Sequence, residues 1–435
     1  MKFGTDGVRG VANSDLTASF ALDLGRAAAR VLGGSEAVVG GDTRVSTAML
    51  EAAFVAGLAS EGVVVHRLGV VPSPVVAFEA ARRGCMGAVI SASHNSYQDN
   101  GIKLFAPGGL KLSDDVEARI EAEVVALPQP SGDPASLLDA ETSPAYVEHV
   151  LGALEGRRLD GLTIVVDAAN GAASALAAPL LRQTGADVVA IHDRPDGRNI
   201  NAGCGATHTG SLAAAVVAHG ADLGLALDGD ADRLLAVDHT GALVDGDHVI
   251  AVCAIDHHAR GLLRGDTVVV TVMTNLGFRL GMHAAGIEVV ETGVGDRYVL
   301  EALAAGNFSL GGEQSGHVIF RDLATTGDGL LTGLILCDAV VRSGRPLAEL
   351  AAAAMTRLPQ VLVNVPVEVP MPDVAERMAA EIAAIGAELG DHGRVLVRPS
   401  GTEPLVRVMV EAPTQAEADG AAERIAAAVR LVASA

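Results

Sequence analysis

GAVISASHNSYQDNGIK, Gly87 to Lys103, joins an apolar run directly to a crowded polar turn. Ala88, Val89 and Ile90 read as a buried strand, and Ser91, Ser93, His94, Asn95, Asp99, Asn100 and Lys103 follow within a few residues. Open α/β sheets carry their chemistry just beyond the carboxyl ends of their strands, so the stretch predicts an α/β fold and a reactive hydroxyl together.

The pattern around it recurs. An apolar strand, a polar turn, an Ala-rich helix, a second apolar strand and a third strand ending in polar residues appear as AVVGGDTR, a helix from about Thr47 to Glu61, VVVHRLG and GAVISASHN. They return as TIVVDAANG, a helix from about Ala173 to Thr184, DVVAIHD and LGLALDGDADR, and again as TVVVTVMTN, a helix from about Leu276 to Ala285, IEVVETGVGD and FSLGGEQSGH. Strands alternating with helices predict parallel or mixed sheets covered on both faces. The repeat is far longer than a solenoid unit, so three tandem related α/β/α domains are expected, with their polar motifs at equivalent strand ends.

The last part differs. From about Gln360 the order is strand (VLVNVPVEV), helix (Pro372 to Leu389), strands RVLVRP and LVRVMVE, and helix (Gln415 to Val432), a smaller α+β domain. Pro- and Gly-rich joints at Leu127 to Pro144, Asp238 to Gly246 and Gly344 to Pro359 give domains 1–144, 145–241, 242–358 and 359–435.

Composition narrows the function. The 435 residues carry a formal charge of −22, which argues against a nucleic-acid or anionic-membrane surface, and any anionic ligand must be drawn by local Arg and Lys. The start, MKFGTDG, has no apolar leader, and no segment reaches about 18 uninterrupted apolar residues, so a cytoplasmic protein is expected. Cys85, Cys204, Cys253 and Cys337 are scattered singly, as reduced buried thiols are.

Four motifs carry chemistry. Ser93 lies in no GxSxG elbow, and on an extended chain its neighbour His94 would point to the opposite side. Such a hydroxyl is a poor nucleophile unless it is activated or already bears a transferable group; the alternative is a turn serine bonded to its own backbone. In DGDADR, Asp228, Asp230 and Asp232 alternate along a turn and suit a hard cation such as Mg²⁺, without which they would repel one another. Two other readings stand beside that one: a solvated acidic hairpin, and a haloacid-dehalogenase-type phosphatase with Asp228 as nucleophile, which the third carboxylate disfavours. GGEQSGH offers Glu313, Gln314, Ser315 and His317, a mixture of donors and acceptors suited to sugar hydroxyls, or else an ordinary polar loop. RPSGTEPLVR sets Arg398, Ser400, Thr402 and Arg407 around Gly401, which forms a phosphate cradle or else a plain hairpin turn.

Taken together, in order and over the whole chain, these motifs resemble the α-D-phosphohexomutase superfamily. FGTDGVRG at the start, GEQSGH, and VGDRYV from Val294 to Val299 look most like its bacterial phosphoglucosamine mutase family. The resemblance implies three related mixed-sheet α/β/α domains and a TBP-like fourth around a central cleft. It implies a phosphoserine at Ser93 and one Mg²⁺ per chain held by Asp228, Asp230, Asp232 and the Ser93 phosphate. It further implies that Lys103 assists proton transfer, that Arg9 and Arg233 line the phosphoryl group, and that His94 belongs to the catalytic set. On the same ground Glu313, Gln314, Ser315 and His317 are expected to meet the sugar, and Arg398, Ser400, Gly401, Thr402 and Arg407 to hold the non-reacting phosphate.

The activity so implied interconverts glucosamine 6-phosphate and glucosamine 1-phosphate through a 1,6-bisphosphate, with glucosamine or glucose 1,6-bisphosphate as activator. The product feeds amino-sugar nucleotide and cell-wall precursor synthesis, and a homodimer is expected on the same ground. Phosphomannomutase/phosphoglucomutase activity, a sugar-phosphate phosphatase and a non-catalytic sugar-phosphate sensor are the alternatives. The chain departs from the family in having Ser96 where Pro is usual, and Ala206 and Thr209 where Ser and Pro are usual. Losing the Pro at 96 is expected to loosen the serine loop by up to about 1 kcal/mol.

Overall fold

Val-rich runs form the centres of three mixed sheets that share one strand order. The computed structural model describes residues 2–4, 7–130, 133–140, 144–400 and 404–433. In the first sheet Val64–Val70 pairs in parallel with Glu36–Gly41, which pairs in parallel with Met86–Ile90, against which Asp99–Ala106 returns antiparallel. The second repeats this order with Asp187–Ile191, Thr163–Asp167, Leu223–Leu227 and the returning Leu234–Asp238. The third has Glu288–Thr292, Thr267–Thr271, Leu310–Gly312 and the returning Val318–Phe320.

Each polar motif therefore fills the hairpin between the last parallel strand and its antiparallel return. The threefold unit read from the sequence lacks one element that the structure supplies: a helix between the second and third strands, namely Ser73–Arg83, Gly210–His219 and Asp296–Gly306. Parallel strands cannot be joined by a tight turn, so this crossover is required. A short edge strand, Val8–Val11, adds to the first sheet with Arg9 opposite Gly101.

The chain packs as two units: Met1–Met273 with Ile287–Ala352, and Thr274–Gly286 with Ala353–Ala435. The helix Leu276–Ala284, which continues the third repeat in sequence, thus belongs to the second unit. That unit has an antiparallel sheet ordered Gln360–Pro366, Leu405–Glu411, Arg394–Pro399, with Val365, Val397, Val406, Val408 and Val410 packed on Ile425 and Val429 of the helix Gln415–Ala433. The helix expected over Pro372 to Leu389 breaks at Met378 into Val374–Arg377 and Ala379–Leu389. All four cysteines are free and buried, and among the described residues no helix is long and apolar enough to cross a membrane.

Candidate active site

The loop after Met86–Ile90 turns sharply, with Ser93 at φ 51° in the left-handed region. An extended chain would part Ser93 from His94. The turn instead leaves Ser93 Oγ 3.2 Å from His94 Nδ1, which corrects the expectation of opposite sides. Ser93 is buried, and its hydroxyl donates to Asp228 Oδ2 at 2.6 Å.

Asp228, Asp230 and Asp232 are all buried, with carboxylate oxygens within 4.8 Å of one another. Lys103 Nζ, on the antiparallel return strand, donates to Asp230 Oδ2 at 2.7 Å and to Asp232 Oδ2 at 3.1 Å. Burial, then Asp232 and Asp230, push the Asp228 carboxyl well above the usual carboxylate range. Burial also acts against the Asp232 carboxylate, but Lys103, His317 and Arg233 outweigh it and hold its pKa well below that range. Asp230 Oδ1 and Asp232 Oδ1 are buried without a hydrogen-bond partner. Three oxygen donors, two of them with orphaned acceptors, fit a hard divalent cation.

Beside this turn lies a cavity of about 490 Å³ lined by Arg9, His94, Asp232, Arg233, Glu313 and His317. Phe3, Gly4 and Gly7 and the segment Val294–Asp296 also line it, so described residues of the FGTDGVRG and VGDRYV strings meet at one place. Burial, then the Arg233 and Arg9 guanidiniums, lower the His94 imidazole to about 4, so it is neutral near neutral pH. His317 lies 3.7 Å from Asp232 and 3.3 Å from Asp296; burial opposes its charge, but these carboxylates prevail and raise its pKa.

Not every residue expected at the sugar reaches the cavity lining. Glu313 does, and accepts from the Gly295 N–H at 3.2 Å. Gln314 instead donates to Asp247 Oδ2 at 3.1 Å, and the Ser315 hydroxyl is buried without a partner. In the second unit Arg398 and Arg407 are cross-strand neighbours, and burial, then Arg407, lower the Arg398 pKa. Two such cations side by side favour an anion between them. Ser400 closes this hairpin with its N–H on the Leu405 carbonyl at 2.9 Å. Gly401 and Thr402 lie outside the described residues.

Three residues that position the serine loop and the aspartate turn were not singled out in the sequence. Arg44, fully enclosed, donates to Asp42 Oδ2 at 2.8 Å, to the Ser93 carbonyl at 2.8 Å, to the Asn95 carbonyl at 2.9 Å and to the Asp99 carbonyl at 3.1 Å, and it also reaches the Ser96 carbonyl. Asn201 Nδ2 donates to the Ser93 and Asn95 carbonyls at 2.9 and 3.0 Å. Ser73 donates its hydroxyl to Asp230 Oδ2 at 2.6 Å and its N–H to the Asp230 carbonyl at 2.9 Å. The GGDTR string offered a signal for Arg44, an Arg just past a buried strand end; Ser73 and Asn201 had none beyond their polarity.

The sequence matches, in turn, the phosphoglucomutase/phosphomannomutase alpha/beta/alpha domain I over residues 1–130, domain II over 144–241, domain III over 245–358 and the C-terminal domain over 362–428. It is 57% identical over 451 residues to phosphoglucosamine mutase of Frankia casuarinae and 56% identical over 440 residues to that of Thermobifida fusca, covering 98% of this chain and 98% of each relative. Its fold is similar to that of a phosphoglucomutase/phosphomannomutase family protein from Burkholderia thailandensis, with TM-score 0.82 and 26% identity over 98% of this chain and 97% of that one. It is likewise similar in fold to Aspergillus fumigatus N-acetylphosphoglucosamine mutase, solved in complex with GlcNAc-6P and magnesium, with TM-score 0.73 and 21% identity over 100% of this chain and 96% of that one.

Proposed function

The chain belongs to the phosphoglucosamine mutase branch of the phosphoglucomutase/phosphomannomutase family, and on that footing we propose that it interconverts glucosamine 6-phosphate and glucosamine 1-phosphate by phosphoryl transfer from Ser93. The observation that carries this reading is the buried Ser93 hydroxyl, 2.6 Å from Asp228 within a turn of three buried carboxylates and beside a cavity lined by Arg9 and Arg233. Ser93 needs no catalytic triad if it works as a phosphate ester. The Oγ–P bond breaks as the free sugar hydroxyl bonds to phosphorus, and the resulting 1,6-bisphosphate turns over and returns its other phosphate to Ser93.

Charge decides the arrangement. A phosphoserine adds about −1.5 to −2 to a site already holding three aspartates, so cations are indispensable. Lys103 neutralises Asp230 and Asp232, while Arg9 and Arg233 face the transferring group from the cavity. Magnesium, one per chain, would be held by Asp228, Asp230, Asp232 and the Ser93 phosphate, and when bound it neutralises the charge that develops on the phosphoryl oxygens. Proton transfer between the serine oxygen and the sugar hydroxyl is assigned to Lys103, held on Asp230 and Asp232, and to the neutral His94, 3.2 Å from Ser93 Oγ.

Glu313 and His317 are assigned to the sugar hydroxyls, with Gln314 and Ser315 in the same loop. Arg398, Ser400, Gly401, Thr402 and Arg407 are assigned to the non-reacting phosphate, so each of the four domains, 1–144, 145–241, 242–358 and 359–435, contributes one motif. A coupled assay with Mg²⁺ and a hexose 1,6-bisphosphate tests the reading on glucosamine, glucose and mannose phosphates. Glucosamine phosphate is the expected best substrate, and Ser93→Ala is expected to fold and lose nearly all turnover. Preference for mannose phosphate would overturn the substrate, and stoichiometric release of free phosphate would mark a phosphatase.

A further inference from the structure

Among the described residues, one more cluster outside the aspartate turn gathers metal-ligating side chains. Asp167 ends the strand Thr163–Asp167, and His192 follows the adjacent parallel strand Asp187–Ile191, whose last residue is in register with Asp167. Cys204, just before the short helix Gly205–Thr207, completes the group, and the three ligand atoms lie within 4.8 Å of one another. We propose that Asp167, His192 and Cys204 form a second divalent-cation site, for a borderline-soft ion of the zinc class.

The donor set makes this choice. Mg²⁺ takes oxygen ligands, whereas a carboxylate, an imidazole and a thiolate together suit Zn²⁺ and its congeners. Metal–ligand bonds of about 2.0–2.3 Å set tetrahedral donors roughly 3.3–3.8 Å apart, so the observed grouping needs only small side-chain adjustments. His192 Nδ1 stands 3.0 Å from Asp167 Oδ2, yet it is buried without a hydrogen-bond partner. The two atoms converge without the alignment of a hydrogen bond, as ligands of a shared ion do.

The surroundings fit as well. Asp167 and Cys204 are fully buried, while the His192 side chain is 30% exposed, so one ligand residue of the cluster borders solvent. Asp167 accepts from the Ala169 N–H at 2.8 Å and the Gly205 N–H at 2.9 Å, and Asn170 Nδ2 lies 3.8 Å from Cys204 Sγ. Such outer hydrogen bonds orient metal ligands. Burial, then Asp167, push the Cys204 thiol up to about 11, so binding must release a proton and strengthen with rising pH.

An ion here would brace the support of the serine loop. The Asn170 carbonyl accepts from Thr43 Oγ1 at 2.6 Å, the Asn201 N–H bonds the Ala169 carbonyl at 2.9 Å, and Asn201 Nδ2 holds the Ser93 carbonyl at 2.9 Å.

The test uses the chelator-stripped full chain titrated with Co²⁺. A thiolate-to-cobalt charge-transfer band is expected, saturating at one equivalent and displaced by Zn²⁺. It should persist in Asp228→Asn and disappear in Cys204→Ser, and His192→Gln should weaken binding at least tenfold. X-ray absorption of the zinc-loaded wild type reads one sulfur among the ligands without recourse to any variant. Absence of the band, its survival in Cys204→Ser, unaltered affinity in His192→Gln, or a zinc spectrum without sulfur would each reduce the cluster to a structural His–Asp pair beside a thiol and overturn the proposal.

Discussion

Arg44→Ala should cost both stability and turnover, through different bonds. Arg44 is the cationic partner of Asp42, and both side chains are fully enclosed. Removing one partner of a buried pair strands the other charge, at about 3–5 kcal/mol. Asp42 would keep Ser91 Oγ at 2.6 Å and Thr47 Oγ1 at 2.9 Å, which places the loss toward the lower end.

The same guanidinium also bonds the carbonyls of Ser93, Asn95, Ser96 and Asp99, so its loss leaves Asn201 Nδ2 as the side-chain donor remaining on the Ser93 carbonyl and slackens the left-handed turn. A left-handed non-glycine residue stores roughly 1–3 kcal/mol and relaxes when its surroundings slacken. A displacement of about 1 Å at a reacting atom costs on the order of 10²-fold in rate, so kcat should fall by about that factor while KM changes little. Arg44→Lys keeps the charge on Asp42 but cannot fork to four carbonyls, so it should regain much of the stability and little of the kcat. Equilibrium urea unfolding and the coupled mutase assay read the two effects separately. An Arg44→Ala protein with the wild-type unfolding midpoint and wild-type kcat would refute the reasoning.

Gly229→Ala should reduce activity more than stability, because a Cβ there would meet the Ser93 carbonyl oxygen at 2.4 Å and Asn201 Nδ2 at 2.8 Å; activity equal to wild type would show that the loop yields freely. Burial pushes the Asp328 carboxyl up to about 6. The folded chain therefore holds this proton more tightly than the unfolded one, and stability from this group is full below about pH 4 and lost, by about 3 kcal/mol, as pH rises through about 6. Asp328→Asn should flatten that fall, measured as the difference between the two proteins in urea midpoints across the interval. Glu411 is fully buried and accepts from Asn275 Nδ2, the Leu276 N–H, Gln360 Nε2 and Arg394 Nε. Glu411→Ala should therefore destabilise the second unit by about 3–5 kcal/mol, seen as faster amide exchange in Leu405–Glu411 with exchange in Leu223–Leu227 unchanged.

The placement of the candidate site was legible where it is local. Ser93, the three aspartates and the EQSGH loop each follow an apolar strand within a few residues, and strand period and turn composition are short-range signals. Residues that hold the site from far along the chain were not legible. The Arg44 contact to Ser93 spans 49 positions, that of Asn201 to Ser93 spans 108, and that of Ser73 to Asp230 spans 157. No local pattern encodes such a pairing. His94 was misread because alternation presumes an extended chain, and a left-handed φ at Ser93 breaks it. The break at Met378 was hidden because the helical pattern continues across it.

The shared strand order explains why positioning residues and reactive residues come from different turns. In each repeat the hairpin after the third strand faces an antiparallel return, and it carries the residues proposed for the reaction: Ser93, the aspartate turn, and Glu313 with His317. The turn after the first strand lies between parallel neighbours, and its polar groups are consumed in bracing. Arg44 there holds the serine loop, and the Asn170 carbonyl accepts from Thr43. Asn275, which follows the first strand of the third repeat in sequence, donates to Glu411 and to the Leu358 carbonyl and accepts from the Leu358 N–H. Substitutions in the two kinds of turn should therefore part: those in third-strand hairpins remove catalysis from a chain that folds, whereas those in first-strand turns lower stability and activity together. Arg44→Ala and Ser93→Ala are the sharpest pair, and an Arg44 variant that loses turnover without losing stability would place it among the reactive residues instead.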